Sequence, residues 1–419
     1  MRRSREEREA EILQQLGLPK AEAILASILN VDVCSVLLTQ DYRMLEVPKK
    51  SGGFRTLFIP SEELKAIQKK ILRRFLHKMW NTLHDGLYGL YPGGQLTSYV
   101  WHAERHKDAK WFWQLDLADA FPSTSVWKLK KIIFNQIISE LEAYELDVSH
   151  CRTLTQKMDI IEEDTEMSSC VRDLEDAKKH LSFSVFYRAS NILDGWLFED
   201  DGRWLLTGKT RIAKALTDLV IKLTTWNYVL PQGTPTAPFL FYIYLTESGF
   251  FSELCSLCPS PFFVFFADNK RQDKFRFEVG MYVDNIVVSA QKPIPEDVQE
   301  KFYETIDKYG FKPNAKKVSH RGIIHEAPLI TGLRIIKNEE GNGKIVLPKK
   351  TVRRWRGIIY RAISDPSLRP KVEGFIASLK PIYGKFGANG SFVFDYDDLP
   401  AQIAGPYYKL LHEIQTEER

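Results

Sequence analysis

The sequence predicts an α+β fold, and three observations carry that expectation. Met281, Tyr282, Val283, Asp284, Asn285, Ile286, Val287 and Val288 place a carboxylate at a tight turn between two apolar, strand-like runs. Gln114, Leu115, Asp116 and Leu117 read as a second strand ending in a carboxylate, followed by Ala118, Asp119, Ala120 and Phe121. Around both lie helical segments, whose apolar residues recur every three or four positions.

Two separated strands that deliver carboxylates to one point suit a two-metal phosphoryl-transfer site. Two Mg²⁺ ions about 3.5–4 Å apart need oxygen ligands. The pattern therefore points to nucleotide polymerisation. Composition is compatible with that chemistry without demanding it: 419 residues can bury a sizeable core, and 58 Lys and Arg against 54 Asp and Glu leave a formal charge of only +4. Any nucleic-acid surface must therefore be local. No apolar run approaches a membrane span, and the charged start at Met1, Arg2, Arg3, Ser4 and Arg5 lacks a signal-peptide core, so no membrane contact and a cytoplasmic location are expected. Cys255 and Cys258 form a lone C-x-x-C with no second pair at zinc-finger spacing, and free thiols are expected.

Taken in order, residues 5–40 read as helical, with Ile12, Leu13 and Leu16 and later Ile24, Leu25, Ile28 and Leu29 at helical spacing. Tyr42 to Pro60 reads as a β-hairpin turning at Ser51, Gly52 and Gly53. Lys49, Lys50 and Arg55 near its turn suit a triphosphate clamp, because Arg forks onto phosphate and Lys supplies a point charge. Ser61 then caps a helix with Glu62 and Glu63 in its first turn. Residues 126–225 form a long stretch, and 159–178 carries eight acids against Arg172 and Lys178, a solvated helical face that would repel phosphate. It reads as an insertion or a partner surface. Leu230, Pro231, Gln232, Gly233 and Thr234 form a loop where the backbone can approach a nucleotide and Gln232 can bond a sugar or base. From 344 to 389, eleven Lys and Arg face Asp365 and Glu373, interleaved with Trp355, Tyr360 and Tyr383; this favours a backbone-tracking groove.

In this order the segments resemble the reverse transcriptases, and more closely the prokaryotic retron-like and defence-associated ones of abortive-infection type. KKSGGFRTLFIPSEELKAIQKKIL looks like the family's opening finger motifs, QLDLADAFPS its first catalytic motif and LPQGTPTAP its glutamine-glycine motif. YVDN stands where the family usually has tyrosine, any residue and two aspartates, and GFKPNAKK and ITGLRI look like the two motifs that follow. His102 to His106 is similar to the retron signature N-A-x-x-H with His102 for the asparagine, and Ile330, Thr331 and Gly332 to V-T-G with Ile330 for the valine. Phe266 to Asn269 mimics the catalytic turn, but Lys270 and Arg271 follow where a buried strand should continue, so Asp268 is read as a hairpin tip.

The resemblance implies a right-hand polymerase. An N-terminal helical segment (1–41) would precede fingers and palm (42–344, with the insertion at about 126–225), the palm built on an antiparallel sheet, and a basic helical thumb would occupy 345–419. The chain ends after that thumb-sized region, so no RNase H, maturase or endonuclease domain is expected. Asp116, Asp284 and the Leu117 carbonyl would hold two Mg²⁺, with Lys317 as the proton donor to pyrophosphate. Lys50, Arg55, Phe121, Gln232 and Asn285 would contact the deoxynucleoside triphosphate, Phe121 as the aromatic gate under the sugar. Arg353, Arg354, Arg356, Arg361 and Trp355 would hold nucleic acid: a non-coding RNA template and its DNA product. A second copy or a partner protein is left open, and antiphage defence is implied by lineage alone. Asn285 is the main departure, since it offers a neutral oxygen in place of a charge. It alone supports the rival of a catalytically dead RNA-binding relative. Untemplated or protein-primed DNA synthesis is the other alternative, while Phe121 argues against an RNA-synthesising enzyme.

Overall fold

The computed structural model describes residues 21–37, 41–49, 52–80, 85–90, 98–160, 164–190, 193, 206–258, 277–315, 318–322, 328–337, 342–386 and 392–417. In chain order the main elements begin with α1 (Ala21–Leu29), β1 (Tyr42–Pro48), β2 (Phe54–Pro60), α2 (Glu62–Lys70), β3 (Leu87–Tyr88), α3 (Tyr99–Arg105) and β4 (Trp111–Asp116). The helices α4 (Val126–Ile160), α5 (Asp164–Phe183), α6 (Leu206–Thr224) and α7 (Ala237–Glu247) follow. The chain then forms β5 (Phe277–Tyr282), β6 (Asn285–Ala290), α8 (Glu296–Lys308), β7 (Ser319–Gly322), β8 (Leu329–Ile330), β9 (Leu333–Lys337) and β10 (Gly343–Val346). It closes with α9 (Lys349–Ser364), α10 (Arg369–Tyr383) and α11 (Ala401–Glu417). Two compact units result, Met1–His84 with Asp119–Phe251, and Asp85–Ala118 with Ser252–Arg419.

In the first unit, β1 and β2 pair as the expected hairpin, Tyr42 opposite Pro60 and Val47 opposite Arg55. The Ser61 hydroxyl accepts from the Leu64 amide at 3.3 Å, and Glu62 and Glu63 against Lys69 and Lys70 match the helix macrodipole at both ends of α2. Helix α4 runs 35 residues because Leu129, Ile133, Ile137, Leu141, Tyr144 and Val148 form one buried stripe. Residues 164–178 of the acidic stretch are helical as read, and Asp173, Glu175 and Asp176 are exposed while Leu174 and Ala177 bury against Leu154. The helix read from 5–40 is seen at α1; residues 1–20, the hairpin tip at Asp268, and Lys50 and Lys317 lie outside the described residues.

The second unit holds a five-stranded sheet in the order β3-β5-β6-β4-β7. Its centre is antiparallel as expected, but β3 pairs with β5 in parallel, so the sheet is mixed. A parallel neighbour needs a long connection rather than a hairpin, and the segment between residues 88 and 277 supplies it. β6 is central, and Ile286, Val287, Val288, Ser289 and Ala290 are all buried, which explains its uninterrupted apolar run. A second core joins Phe112 and Val287 of this sheet to Ile335 and Ile345 of the β8–β10 sheet and to Ile359, Ile376 and Ile403 of α9, α10 and α11. The five cysteines are free thiols, with burial pushing Cys255 up to about 11 and Cys258 to about 12. No described helix is long and apolar enough to cross a membrane.

Candidate active site

In the second unit the two carboxylate-bearing motifs meet at adjoining strand ends. β5 and β6 are joined by the two-residue turn Val283-Asp284, and Asn285 lies directly opposite Asp116 in the β4–β6 ladder. Val283 sits in the left-handed region at φ 57°, a conformation costly for a β-branched residue. Two backbone bonds hold that turn: the Val283 amide donates to the Tyr88 carbonyl at 3.1 Å, and the Leu117 amide to the Asp284 carbonyl at 2.8 Å. The second bond ties the strand carrying Asp116 directly to the turn carrying Asp284.

A third segment closes on the same point. The Asn314 amide donates to the Asp116 carbonyl and the Ala118 amide to the Lys312 carbonyl, each at 2.7 Å. The Asn314 side-chain amide approaches Asp116 Oδ2 at 3.4 Å. Asp116 is buried, Asp284 half-buried and Asn285 exposed. Asn285 Nδ2 donates to Asp284 Oδ1 at 3.0 Å, so the residue at the second-aspartate position engages the neighbouring carboxylate through a neutral donor. Among the described residues no group of three or more His, Cys, Asp and Glu could hold a metal. An ion here would rest on two carboxylates and on carbonyl oxygens, hard donors of the kind Mg²⁺ takes.

Beneath the turn lies a feature that sequence reasoning treated only as a lineage signature. His102 and His106, one turn apart on and just after α3, are both fully buried against β5. A Cβ on Gly280 would meet His106 Nε2 at 2.6 Å and His102 Cδ2 at 2.8 Å, so any side chain at this strand position would force the two buried rings to shift. Gly89, at φ 76°, likewise receives the Tyr282 ring, which a Cβ would meet at 2.7 Å. Burial pushes His102 down to about 3 and His106 well below the ordinary imidazole range, so both rings are neutral, and His106 Nδ1 lies 2.7 Å from Ser289 Oγ. A cavity of about 450 Å³ beside the turn is lined by His102, Gln114, Tyr282, Asn285 and Thr331 among others. The Thr331 hydroxyl donates to the Tyr99 carbonyl at 2.9 Å, fixing the Ile330-Thr331-Gly332 turn. The signal available in the sequence was the paired His at i and i+4 with a glycine two residues before Tyr282.

Of the residues read as nucleotide contacts, Asn285 lies in the second unit, and Arg55, Phe121 and Gln232 lie in the first. Arg55 is exposed on β2, and Lys49 pairs with Asp119 at 3.6 Å. Phe121 is buried with its ring 5.1 Å from that of Phe241. The Gln232 carbonyl accepts from the Phe58 amide at 2.9 Å, and Gly233 takes φ 105° with room for a Cβ only 3.3 Å from the Phe58 carbonyl oxygen. The glutamine-glycine loop is thereby fastened to the β1–β2 hairpin. On α9 of the second unit, Arg353, Arg354, Arg356 and Arg361 are all exposed, while Trp355 is half-buried and stacks on Phe375 at 3.9 Å. Tyr360 is the more exposed aromatic of that helix.

Comparison with known proteins bears on this arrangement. Residues 47–155 match the profile of the reverse transcriptase (RNA-dependent DNA polymerase) family, a span that includes Arg55, Asp116 and Phe121 and runs on into α4. The retron Mx65 reverse transcriptase of Myxococcus xanthus is 30% identical over 133 residues, which cover 29% of this chain and 30% of that relative. The chain thus spans less than a third of that relative's length.

Proposed function

We propose that this chain is a retron-like reverse transcriptase with right-hand architecture, making DNA from deoxynucleoside triphosphates on an RNA template. The observation that carries the reading is the junction of Asp116 and Asp284, whose strand and turn are bonded to each other through the Leu117 amide and the Asp284 carbonyl at 2.8 Å. Asp116, Asp284 and the Leu117 carbonyl would hold two Mg²⁺, which when bound lower the pKa of an attacking primer hydroxyl and neutralise the leaving pyrophosphate. Asn314 keeps Asp116 oriented, and the two backbone bonds at Val283 and Asp284 keep the second carboxylate in place without rearrangement during the reaction. Lys50 and Arg55 would neutralise the triphosphate, Gln232 would bond the incoming sugar or base, and Lys317 would protonate pyrophosphate. Phe121, backed by Phe241, would exclude a 2′-hydroxyl by volume.

The exposed arginines of α9 would track the phosphates of a structured non-coding RNA serving as template. Lineage extends the reading to cytoplasmic antiphage defence. Primer extension with Mg²⁺ tests the catalytic core: wild type should incorporate deoxynucleotides, Asp116→Ala and Asp284→Ala should fall to background, and Phe121→Val should begin to accept ribonucleotides. Full incorporation by either aspartate variant would overturn the site. Sequencing the nucleic acid that copurifies with the protein tests the template, and long defined DNA made by RNA-free protein would favour untemplated or protein-primed synthesis.

A further inference from the structure

Two large aromatic side chains of the first unit stand in solvent, stacked on each other. Trp127 is 67% exposed and Tyr228 60% exposed, with ring centroids 5.5 Å apart and planes 6° from parallel. Neither belongs to the core: on α4 it is Val126 and Leu129 that bury, and beside Tyr228 it is Trp226 that turns inward, 5.1 Å from Phe58. Isolated exposed rings need no explanation, but a parallel pair of this size does.

The backbone is bent to present Tyr228. Trp226 and Val229 exchange both backbone bonds, at 3.0 and 2.9 Å, around the two-residue turn Asn227-Tyr228. Both turn residues are left-handed, at φ 48° and 58°. Such a turn favours Asn followed by Gly. Asn227 obeys the preference and Tyr228 does not, so a bulky ring is kept where glycine would be relaxed. The turn leads within four residues to Gln232.

Charge identifies the occupant. Lys128, Lys130 and Lys131 flank Trp127, with Lys128 and Lys131 exposed. Lys130 lies 5.6 Å from the Trp127 ring centroid and pairs with Asp218, so the nearby acid is already neutralised. Aromatic faces interleaved with lysines fit bases and phosphates together, the two halves of single-strand recognition. A protein partner would also use the rings but would gain nothing from the lysines unless it were acidic.

We propose that the Trp127–Tyr228 stack is a platform for single-stranded nucleic acid, on which an unpaired base continues the stack while the exposed Lys128 and Lys131 hold its phosphates. The inference rests on the template-copying reading above, but its test does not depend on catalysis. Labelled single-stranded RNA, DNA of the same sequence and a duplex, each roughly 16 nucleotides long, would be titrated without Mg²⁺ or nucleotides and followed by fluorescence anisotropy. Trp127→Ala and Tyr228→Gly should lose about 5- to 150-fold in affinity for the single strands, the range expected for one stacked base, with duplex binding little changed. Tyr228→Phe, which keeps the ring, should bind like wild type. Tyr228→Gly should melt at or above the wild-type temperature, because the left-handed position suits glycine; a loss of binding there is not a loss of fold. Unchanged single-strand affinity in both variants overturns the platform. So does a wild-type self-association, seen by sedimentation, that both variants abolish without affecting binding. Primer extension on the same preparations separates the two ideas, since binding that persists without synthesis sinks the catalytic reading and leaves the platform standing.

Discussion

Two hairpins carry the proposed chemistry, and they are built in opposite ways. The β5–β6 hairpin lies inside a five-stranded sheet, its turn tied by two backbone bonds and its flank filled by buried His102 and His106. The β1–β2 hairpin is a two-stranded sheet in which Met44, Leu45, Glu46, Phe54 and Arg55 are exposed. The difference matches what each is proposed to hold. Metal ligands must be placed to a fraction of an ångström, which only a packed and hydrogen-bonded surround can enforce. A charge that meets a triphosphate works through reach, and a two-stranded sheet, marginal by itself, leaves its side chains that freedom.

The largest effect that could break this comparison is at Gly280. A methyl there collides with His106 Nε2 at 2.6 Å, and overpacking of this kind costs about 1–3 kcal/mol. Gly280→Ala should lower the melting temperature and reduce primer extension to near background, whereas the double variant Gly280→Ala with His106→Ser should recover part of both. If Gly280→Ala is fully active, the histidine pair does not support the turn. The same pair makes a pH prediction. Both imidazoles are depressed in the folded state, so between pH 6.5 and about 3 the unfolded chain binds more protons and stability falls as pH falls. The slope approaches about 1.4 kcal/mol per pH unit per histidine, and above pH 6.5 it vanishes. Urea titrations at pH 7 and pH 5 would show it, and His106→Gln should remove its share.

How much of this was legible in the sequence depends on how local each cause is. The strand-end positions of Asp116 and Asp284 could be read because a strand run and its turn residue are neighbours in the chain, and β1–β2 and β5–β6 both pair as the sequence led one to expect. The β3–β5 pairing could not, because Tyr88 meets Tyr282 across a long stretch of chain and no short pattern encodes a parallel partner. Asn314 was read as part of a motif, yet its bonds to Asp116 arise only when a loop from beyond α8 folds back onto β4. His102 and His106 looked like a signature, and their packing against Gly280 is a tertiary fact. The Trp226–Val229 turn was missed for a different reason: its left-handed residues are Asn and Tyr, and the second defies turn preference.

A smaller effect is expected on the exposed hairpin. Arg55→Gln should raise KM for deoxynucleotides several-fold while leaving the melting temperature within about 1 °C, since exposed charges contribute little to stability. An equal fall in kcat with an unchanged KM would mean that Arg55 acts on the transition state alone. That outcome would erase the contrast between a fixed hairpin and a reaching one.

The smallest and most discriminating change is Asn285→Asp. In the wild type the Asn285 amide donates to Asp284 Oδ1 at 3.0 Å, which orients that carboxylate and also occupies one of its oxygens. Substitution removes the donor, adds a negative charge beside Asp284 and frees the oxygen. If the second position merely weakens metal binding, the variant should reach half-maximal synthesis at a lower Mg²⁺ concentration, with little change at saturation. If the amide is instead what holds Asp284 in its working orientation, two like charges on adjacent residues should repel, and activity should drop even at saturating Mg²⁺. The Mg²⁺ titration separates these outcomes by its plateau rather than its midpoint. A lowered plateau would mean that orientation by the neutral amide outweighs the missing charge.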